Sequence, residues 1–282
     1  MKRLFWGAIA VSLAMLSCKG KQADGTIQFA PSESIGDTVA QDTLPTDTLE
    51  RLIASTPMPR AADELFDDFL FNFAANRQLQ MERVAFPLPV VKGGDTTFID
   101  KTQWRMERFF MHQEFYTVLF DNEKQMEMVR DTSVSEALVE KIYFNTGAVL
   151  QYMFRRVNGA WMLLQQHTEP IAANRNASFL MFYRQFVTDS LFQTQSLAET
   201  VKFVGPDPDD DFAQMEGILT PDTWPAFAPE LPDRMLYNIV YGRQKRVSDE
   251  IIFVMRGIAN GLELQMTFRR DGDEWQLVKL VS

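Results

Sequence analysis

Two stretches of this chain align without a gap over fifteen residues, and that repetition constrains the fold more than any other feature. Leu150-Gln-Tyr-Met-Phe-Arg-Arg-Val-Asn-Gly-Ala-Trp-Met-Leu-Leu164 runs beside Leu264-Gln-Met-Thr-Phe-Arg-Arg-Asp-Gly-Asp-Glu-Trp-Gln-Leu-Val278 with seven identities. The identities fall at Leu150/Leu264, Gln151/Gln265, Phe154/Phe268, Arg155/Arg269, Arg156/Arg270, Trp161/Trp275 and Leu163/Leu277. An earlier echo sets Phe66, Phe69, Phe73 and Gln80 against Phe179, Phe182, Phe186 and Gln193. The offsets are 114 and 113 residues, so order and spacing agree across both halves. Beyond residue 61 the chain therefore reads as a tandem duplication of a unit of about 110 residues, the copies occupying residues 62–170 and 171–282.

Each copy opens with a helix. Leu65, Phe66, Phe69, Leu70 and Phe73 share one helical face, as do Phe179, Phe182, Tyr183 and Phe186. Each copy closes with a three-stranded meander, near 140–145, 148–157 and 160–168 in the first and near 250–258, 262–270 and 274–281 in the second. Asn158-Gly159, Asn260-Gly261 and Gly272-Asp273 supply the positive φ that tight hairpins need. Between helix and meander the copies differ most, although Phe115–Phe120 alternates like a strand. A helix followed by an antiparallel sheet argues for α+β.

An uninterrupted hairpin register from Asn158-Gly159 pairs Arg156 with Trp161, Phe154 with Leu163, Tyr152 with Gln165 and Leu150 with His167. The second copy pairs Arg270 with Trp275, Phe268 with Leu277, Met266 with Lys279 and Leu264 with Val281. These residues form the face beneath the helix. Tyr152, Gln165 and His167 then make a polar cluster in an apolar cavity, the pattern of a ligand pocket. The Arg156–Trp161 pair is either a grip for an anionic ligand at the rim or a cross-strand cation–π contact. Val149, Met153, Val157, Met162 and Leu164 make the opposite face of the first sheet apolar, which invites a cover from the second copy or another chain.

This layout resembles the nuclear transport factor 2-like, or ketosteroid isomerase-like, superfamily. The resemblance implies two cone-like domains, each with its N-terminal helix lying in the concave face of a curved antiparallel sheet. It rests on element order and hairpins over residues 62–282, and the superfamily's catalytic acids have no clear counterpart here.

The first residues look like an address. Lys2 and Arg3 precede a 13-residue stretch, Leu4 to Leu16, interrupted only by Ser12. That is too short to span a bilayer and fits the core of a secretory signal. Met15-Leu16-Ser17-Cys18 follows, with the chain's single cysteine, and resembles a bacterial lipobox. The resemblance implies a signal peptide over residues 1–17, a lipidated Cys18 such as a palmitate-bearing one, and a membrane anchor. Lys19 is not the Asp of an inner-membrane retention signal, so the expected place is the outer membrane, facing the periplasm. Residues 18–61, scattered with Thr, Ser, Pro and Asp, read as the lipidated cysteine and a disordered tether reaching roughly 35 Å.

Composition narrows the chemistry. With 28 Lys and Arg against 38 Asp and Glu the net charge is −10, and no basic cluster suits nucleic acid. One cysteine and two histidines leave no thiolate cage and few metal ligands. No phosphate loop, nucleophile elbow or His-Glu-x-x-His motif occurs. His112, among Phe109, Phe110 and Phe115, reads as a core or rim histidine. Asp207, Asp209, Asp210 and Asp211 are oxygen-rich enough for Ca²⁺ but lack the EF-hand's glycine and terminal glutamate, and read as a solvated loop. No catalytic residue, cofactor or metal is assigned. The expected function is a non-enzymatic cell-envelope lipoprotein that binds a small molecule or a protein partner, with self-association through the first sheet an option. Two alternatives stay open: a hydrolase or isomerase using His167 or His112 in the first-copy pocket, and a purely structural partner-binding module.

Overall fold

The computed structural model describes residues 63–207, 210–243 and 247–282. Cys18 and the stretches expected to be a signal peptide and a tether lie outside the described residues, as do the side chains of Asp209, Asp210 and Asp211. Helix α1 (Phe66–Ala75) and short α2 (Arg77–Arg83) lead into the hairpin β1 (Leu88–Lys92) and β2 (Asp95–Ile99). A long loop reaches β3 (Phe115–Phe120), short α3 (Glu123–Glu127) follows, and β4 (Glu136–Tyr143), β5 (Ala148–Val157) and β6 (Ala160–Pro170) form a meander. The same order then recurs: α4 (Ala177–Thr188), α5 (Ser190–Gln195), hairpin β7 (Leu197–Asp207) and β8 (Asp210–Leu219), strand β9 (Met235–Tyr241), and meander β10 (Glu250–Gly257), β11 (Glu263–Asp271) and β12 (Glu274–Val281). The class is α+β, with two six-stranded sheets and few helices.

The strand orders are β2-β1-β6-β5-β4-β9 and β3-β10-β11-β12-β7-β8. Each sheet thus takes one edge strand from the other half of the sequence: β9 closes the first sheet and β3 the second. The expected boundary at residue 170 separates helices and meanders, but these two strands cross it. The sheets are also not wholly antiparallel as expected, since β1 runs parallel to β6 and β7 parallel to β12. The chain between each pair is long and runs through several other strands before it returns, which leaves the two free to run parallel.

Aromatic spacing dictates how each helix sits. Residues three and four apart share a face, so α1 turns Phe66, Phe69 and Phe73 onto β5 and β6. Phe66 meets Trp161 at 4.9 Å and Phe154 at 5.4 Å between ring centroids, and Phe73 meets Phe154 at 5.4 Å. The second helix repeats the contacts: Phe179 lies 5.3 Å from both Trp275 and Phe268, and Phe186 lies 5.3 Å from Phe268. The exchanged strands knit the halves together. Tyr116, Val118 and Phe120 of β3 pack into the core around α1, while Leu119 joins the core around α4. Outer-face residues Ile142 and Val149 of the first sheet join that second core too, so part of its apolar outer face is covered by the other half. Met153 and Val157 stay exposed.

Where β3 and β9 pass each other, side chains serve backbone groups that a sheet edge leaves open. Thr117 Oγ1 donates to the Tyr237 carbonyl at 2.6 Å and accepts from its amide at 3.0 Å, and the Leu119 amide donates to Asn238 Oδ1 at 2.9 Å.

Candidate functional site

Both meanders carry a bulge at corresponding positions. Phe154 pairs with Leu163 but Met153 pairs with Gln165, leaving Leu164 as the extra residue. Phe268 pairs with Leu277 but Thr267 pairs with Lys279, leaving Val278 extra. One inserted residue reverses which side chains face the helix from there on. The expected pairs Arg156–Trp161 and Phe154–Leu163 are present, whereas Tyr152 faces Gln166 and Leu150 faces Thr168. In the second sheet Met266 likewise faces Leu280 rather than Lys279. The grouping of Tyr152 with Gln165 and His167 in one pocket is therefore corrected. Tyr152 lies under the helix; Gln165 and His167 point to the outer face.

Beneath α1, Tyr152 meets two residues that the sequence reading missed. Its hydroxyl donates to Glu107 Oε2 at 2.5 Å, and Lys141 Nζ donates to Glu107 Oε1 at 2.7 Å. The amide of Phe109, a non-glycine residue at φ 45°, also donates to Glu107 Oε1 at 2.9 Å. Lys141 Nζ sits 5.5–5.9 Å from the ring centres of Phe109, Tyr152 and Tyr237. The loop is held by buried Gln80, which donates to the carbonyls of Phe73 at 2.7 Å and Glu107 at 2.6 Å. Gln80 Oε1 accepts from Trp104 Nε1 at 3.1 Å and from the Glu107 amide at 2.9 Å. Gln193 repeats part of this by accepting from Trp224 Nε1 at 2.9 Å.

Burial alone would push the Glu107 carboxyl up. The Lys141 ammonium and the hydrogen bonds from Lys141, Tyr152 and the Phe109 amide outweigh it and hold the carboxyl below its usual range. Burial, with Glu107 beside it, pushes the Tyr152 phenol up, and Tyr237 shifts the same way for the same reasons. A carboxylate neutralised by an ammonium and held low is the reverse of the tuning a general base needs. The cluster works as a pin between loop and sheet. At the matching strand positions the second sheet carries Met255 and Met266.

Arg156 stands 4.8 Å over Trp161, and Arg270 stands 5.6 Å over Trp275. The Arg156 guanidinium is engaged by the carbonyls of Val134 at 2.9 Å, Gly159 at 3.3 Å and Glu64 at 2.5 Å. It clasps the hairpin to the entry of α1. Trp275 Nε1 donates to Ser178 at 3.0 Å, whereas Trp161 Nε1 has no hydrogen-bond partner among the described residues. His112 is exposed on the loop before β3, so the core or rim placement is corrected: the phenylalanines beside it turn inward without it.

The outer face of the first sheet holds a groove of about 630 Å³. Leu138, Met153, Leu164 and Val240 line it with apolar surface, and Gln165 borders it. The connector after β6 forms one wall through Ala173, Arg175 and Asn176. Glu140, buried on β4, accepts from Gln151 at 2.8 Å, Asn174 at 2.8 Å and Asn238 at 2.7 Å. Glu169 accepts from the same Gln151 and Asn174 nitrogens at 3.0 Å. Because Gln151 donates from Nε2 to both carboxylates, its Oε1 accepts from His167 Nδ1 at 2.9 Å. The bulge thus delivers Gln165 to this groove instead of to the cone, and sets His167 on the same face, bonded to Gln151. Among the described residues no group of three or more His, Cys, Asp or Glu is placed to hold a metal, and no helix is long and apolar enough to cross a membrane.

A family described as Domain of unknown function (DUF4348) matches residues 45–282. The crystal structure of an NTF2-like protein from Bacteroides fragilis NCTC 9343 superimposes with a TM-score of 0.71 at 41% sequence identity, covering 80% of this chain and 98% of that one. No curated protein matches the chain.

Proposed function

The chain belongs to the DUF4348 family and has an NTF2-like fold, and on that premise we propose that it is a non-enzymatic cell-envelope lipoprotein with a small-molecule binding groove on the outer face of its first sheet. In this reading Cys18 carries the lipid anchor, and residues 18–61 tether the fold to the outer membrane on its periplasmic side. The two halves are diverged copies of one cone-like unit, a reading supported by their matching element order, helix contacts and bulges. The exposed apolar residues Met153 and Val157 beside the groove also suit a protein partner or self-association.

One observation carries the binding reading. The space under α1 is filled, by aromatic rings and by the Glu107–Lys141–Tyr152 pin, while the groove on the outer face of the same sheet is open. Pockets of several hundred cubic ångströms with apolar floors and a few convergent polar groups are the usual form of a ligand site. Native mass spectrometry of the full chain, before and after incubation with an envelope extract, tests this. A mass gain of a few hundred daltons that disappears when Met153→Trp fills the groove is expected; a gain that survives Met153→Trp refutes the placement. The anchor is tested separately by labelling with a fatty-acid probe, which Cys18→Ala should abolish. Unchanged labelling would sink the lipoprotein reading.

A further inference from the structure

The groove carries an electrostatic imbalance that selects among ligands. Five charged side chains line it: Glu136, Glu140, Glu169, Arg155 and Arg175. Arg155 is paired with Glu136 at 3.2 Å, Glu136 is paired again with Arg243 at 2.6 Å, and Arg175 is paired with Asp121. Glu140 and Glu169 form no ion pair with any described residue. Their Oε1 atoms share the same two amide nitrogens, so two carboxylates stand together and are answered only by neutral donors. Amide hydrogen bonds satisfy lone pairs but do not cancel charge, and two carboxylates sharing one site repel each other. Oε2 of Glu169 accepts from no described group, and this half-buried residue lines the wall of the groove.

Resting on the proposal that the groove binds a small molecule, we infer that its ligand is an organic cation with an apolar body, a primary amine or a guanidinium. The head group donates to Glu169 Oε2 with the charge of Glu140 behind it, and the body lies over Leu138, Met153, Leu164 and Val240. No exposed aromatic ring lines the groove to offer a sugar a stacking surface. An anionic head group would meet the two carboxylates, while Arg175 is paired with Asp121 and Arg155, on the exposed edge, shares Glu136 with Arg243.

Calorimetric titration of the full chain with three matched probes tests this: 4-phenylbutylamine, 4-phenylbutanol and 4-phenylbutyrate. The amine should bind at least tenfold more tightly than the other two. Glu169→Gln, a change at a partly exposed site, should remove that advantage and leave the alcohol unaffected, and Met153→Trp should weaken all three. Equal binding of amine and alcohol, or an amine advantage that survives Glu169→Gln, would overturn the cation assignment while the groove stands. No binding by any probe, or binding indifferent to Met153→Trp, would overturn the groove reading and this inference with it.

Discussion

Replacing Gln80 with leucine should be among the most damaging single changes in the protein, although it swaps one side chain for another of similar size. Gln80 is fully buried and uses its whole amide: two bonds donated, to the carbonyls of Phe73 and Glu107, and two accepted, from Trp104 Nε1 and the Glu107 amide. Leucine fills the space and orphans all four partners. A buried polar group left without a partner costs about 1–3 kcal/mol, whereas one that water can reach costs far less. Phe73 and Trp104 are buried, while Glu107 lies in a segment that is partly exposed. Two full penalties and two partial ones give an expected loss of about 3–5 kcal/mol. That is a large part of the 5–15 kcal/mol typical of a folded domain.

The repeat supplies an internal control. Gln193 holds the corresponding position but is half-buried, and accepts one bond, from Trp224 Nε1. Gln193→Leu should therefore cost only about 1 kcal/mol. Equilibrium urea unfolding of the full chain, followed by tryptophan fluorescence and by far-ultraviolet circular dichroism, measures both. Hydrogen exchange should also show the 104–109 loop opening in the Gln80 variant. Equal losses at the two positions, or a loss below about 1 kcal/mol at Gln80, would refute the assignment of Gln80 as the support of that loop.

Three further outcomes follow from the same geometry. Lys141→Met leaves the Glu107 carboxylate uncompensated, and with the pair only 11% and 20% exposed the cost should be about 2–3 kcal/mol. Adding Glu107→Gln should recover most of it, and a double-mutant cycle showing no recovery would contradict the pin. Asp67, hydrogen-bonded by Tyr241 at 2.5 Å, has its carboxyl raised above 3.8, chiefly by burial. A raised carboxyl contributes stability that is present below the unfolded value and lost as pH rises through the folded one, so Asp67→Asn should raise the urea midpoint at pH 7 and lose that advantage as the solution is acidified through about pH 4. Finally, residues 63–170 alone lack β9 and leave β3 without its sheet, so sedimentation should find associated species. A well-behaved monomer would count against the strand exchange as a requirement for folding.

The first helix of each half and the meander hairpins were legible because their signals are local: aromatic residues at helical spacing, and Asn-Gly or Gly-Asp between alternating runs. The bulges were less legible, since alternation presumes an unbroken register. A clue was nonetheless present in Trp161-Met-Leu-Leu164, four apolar residues in a row where a two-faced strand should alternate. In Leu277-Val-Lys-Leu280 two apolar residues stand side by side at the same place, and Leu280, not Lys279, is the buried residue. Lys141 had a signal as well, as the charged member of the inward series Ala137, Val139, Lys141, Tyr143. Glu107 had none, because its loop has no periodicity and is fixed by residues distant in the sequence, Gln80, Lys141 and Tyr152. The exchange of β3 and β9 was out of reach for a different reason. The alternation of β3 is readable locally, but the choice of partner for β3 and β9 depends on residues 92 to 142 positions away.

Those exchanged strands also show what the polar groups accomplish. Where β4 meets β9, Glu140 pairs with Asn238 and Lys141 with Tyr237; where β10 meets β3, Val254 pairs with Val118 and Met255 with Thr117. The second seam demonstrates that this backbone accepts an apolar solution, with Val254 and Val118 both fully buried. A buried ionic or polar pair commonly contributes less stability than a well-packed apolar one of similar size. The first seam therefore carries its polar residues for something other than gross stability. Asn238 binds Glu140 through one end of its amide and the Leu119 backbone through the other, so it joins β4, β9 and β3 at one point. A slip of β9 by one residue would separate Asn238 from both and leave the Glu140 carboxylate short of a donor in a buried setting. Two valines place no such penalty on a wrong register. The polar seam thus specifies which strand closes the first sheet and in what alignment, and the same carboxylate lines the groove that this alignment creates.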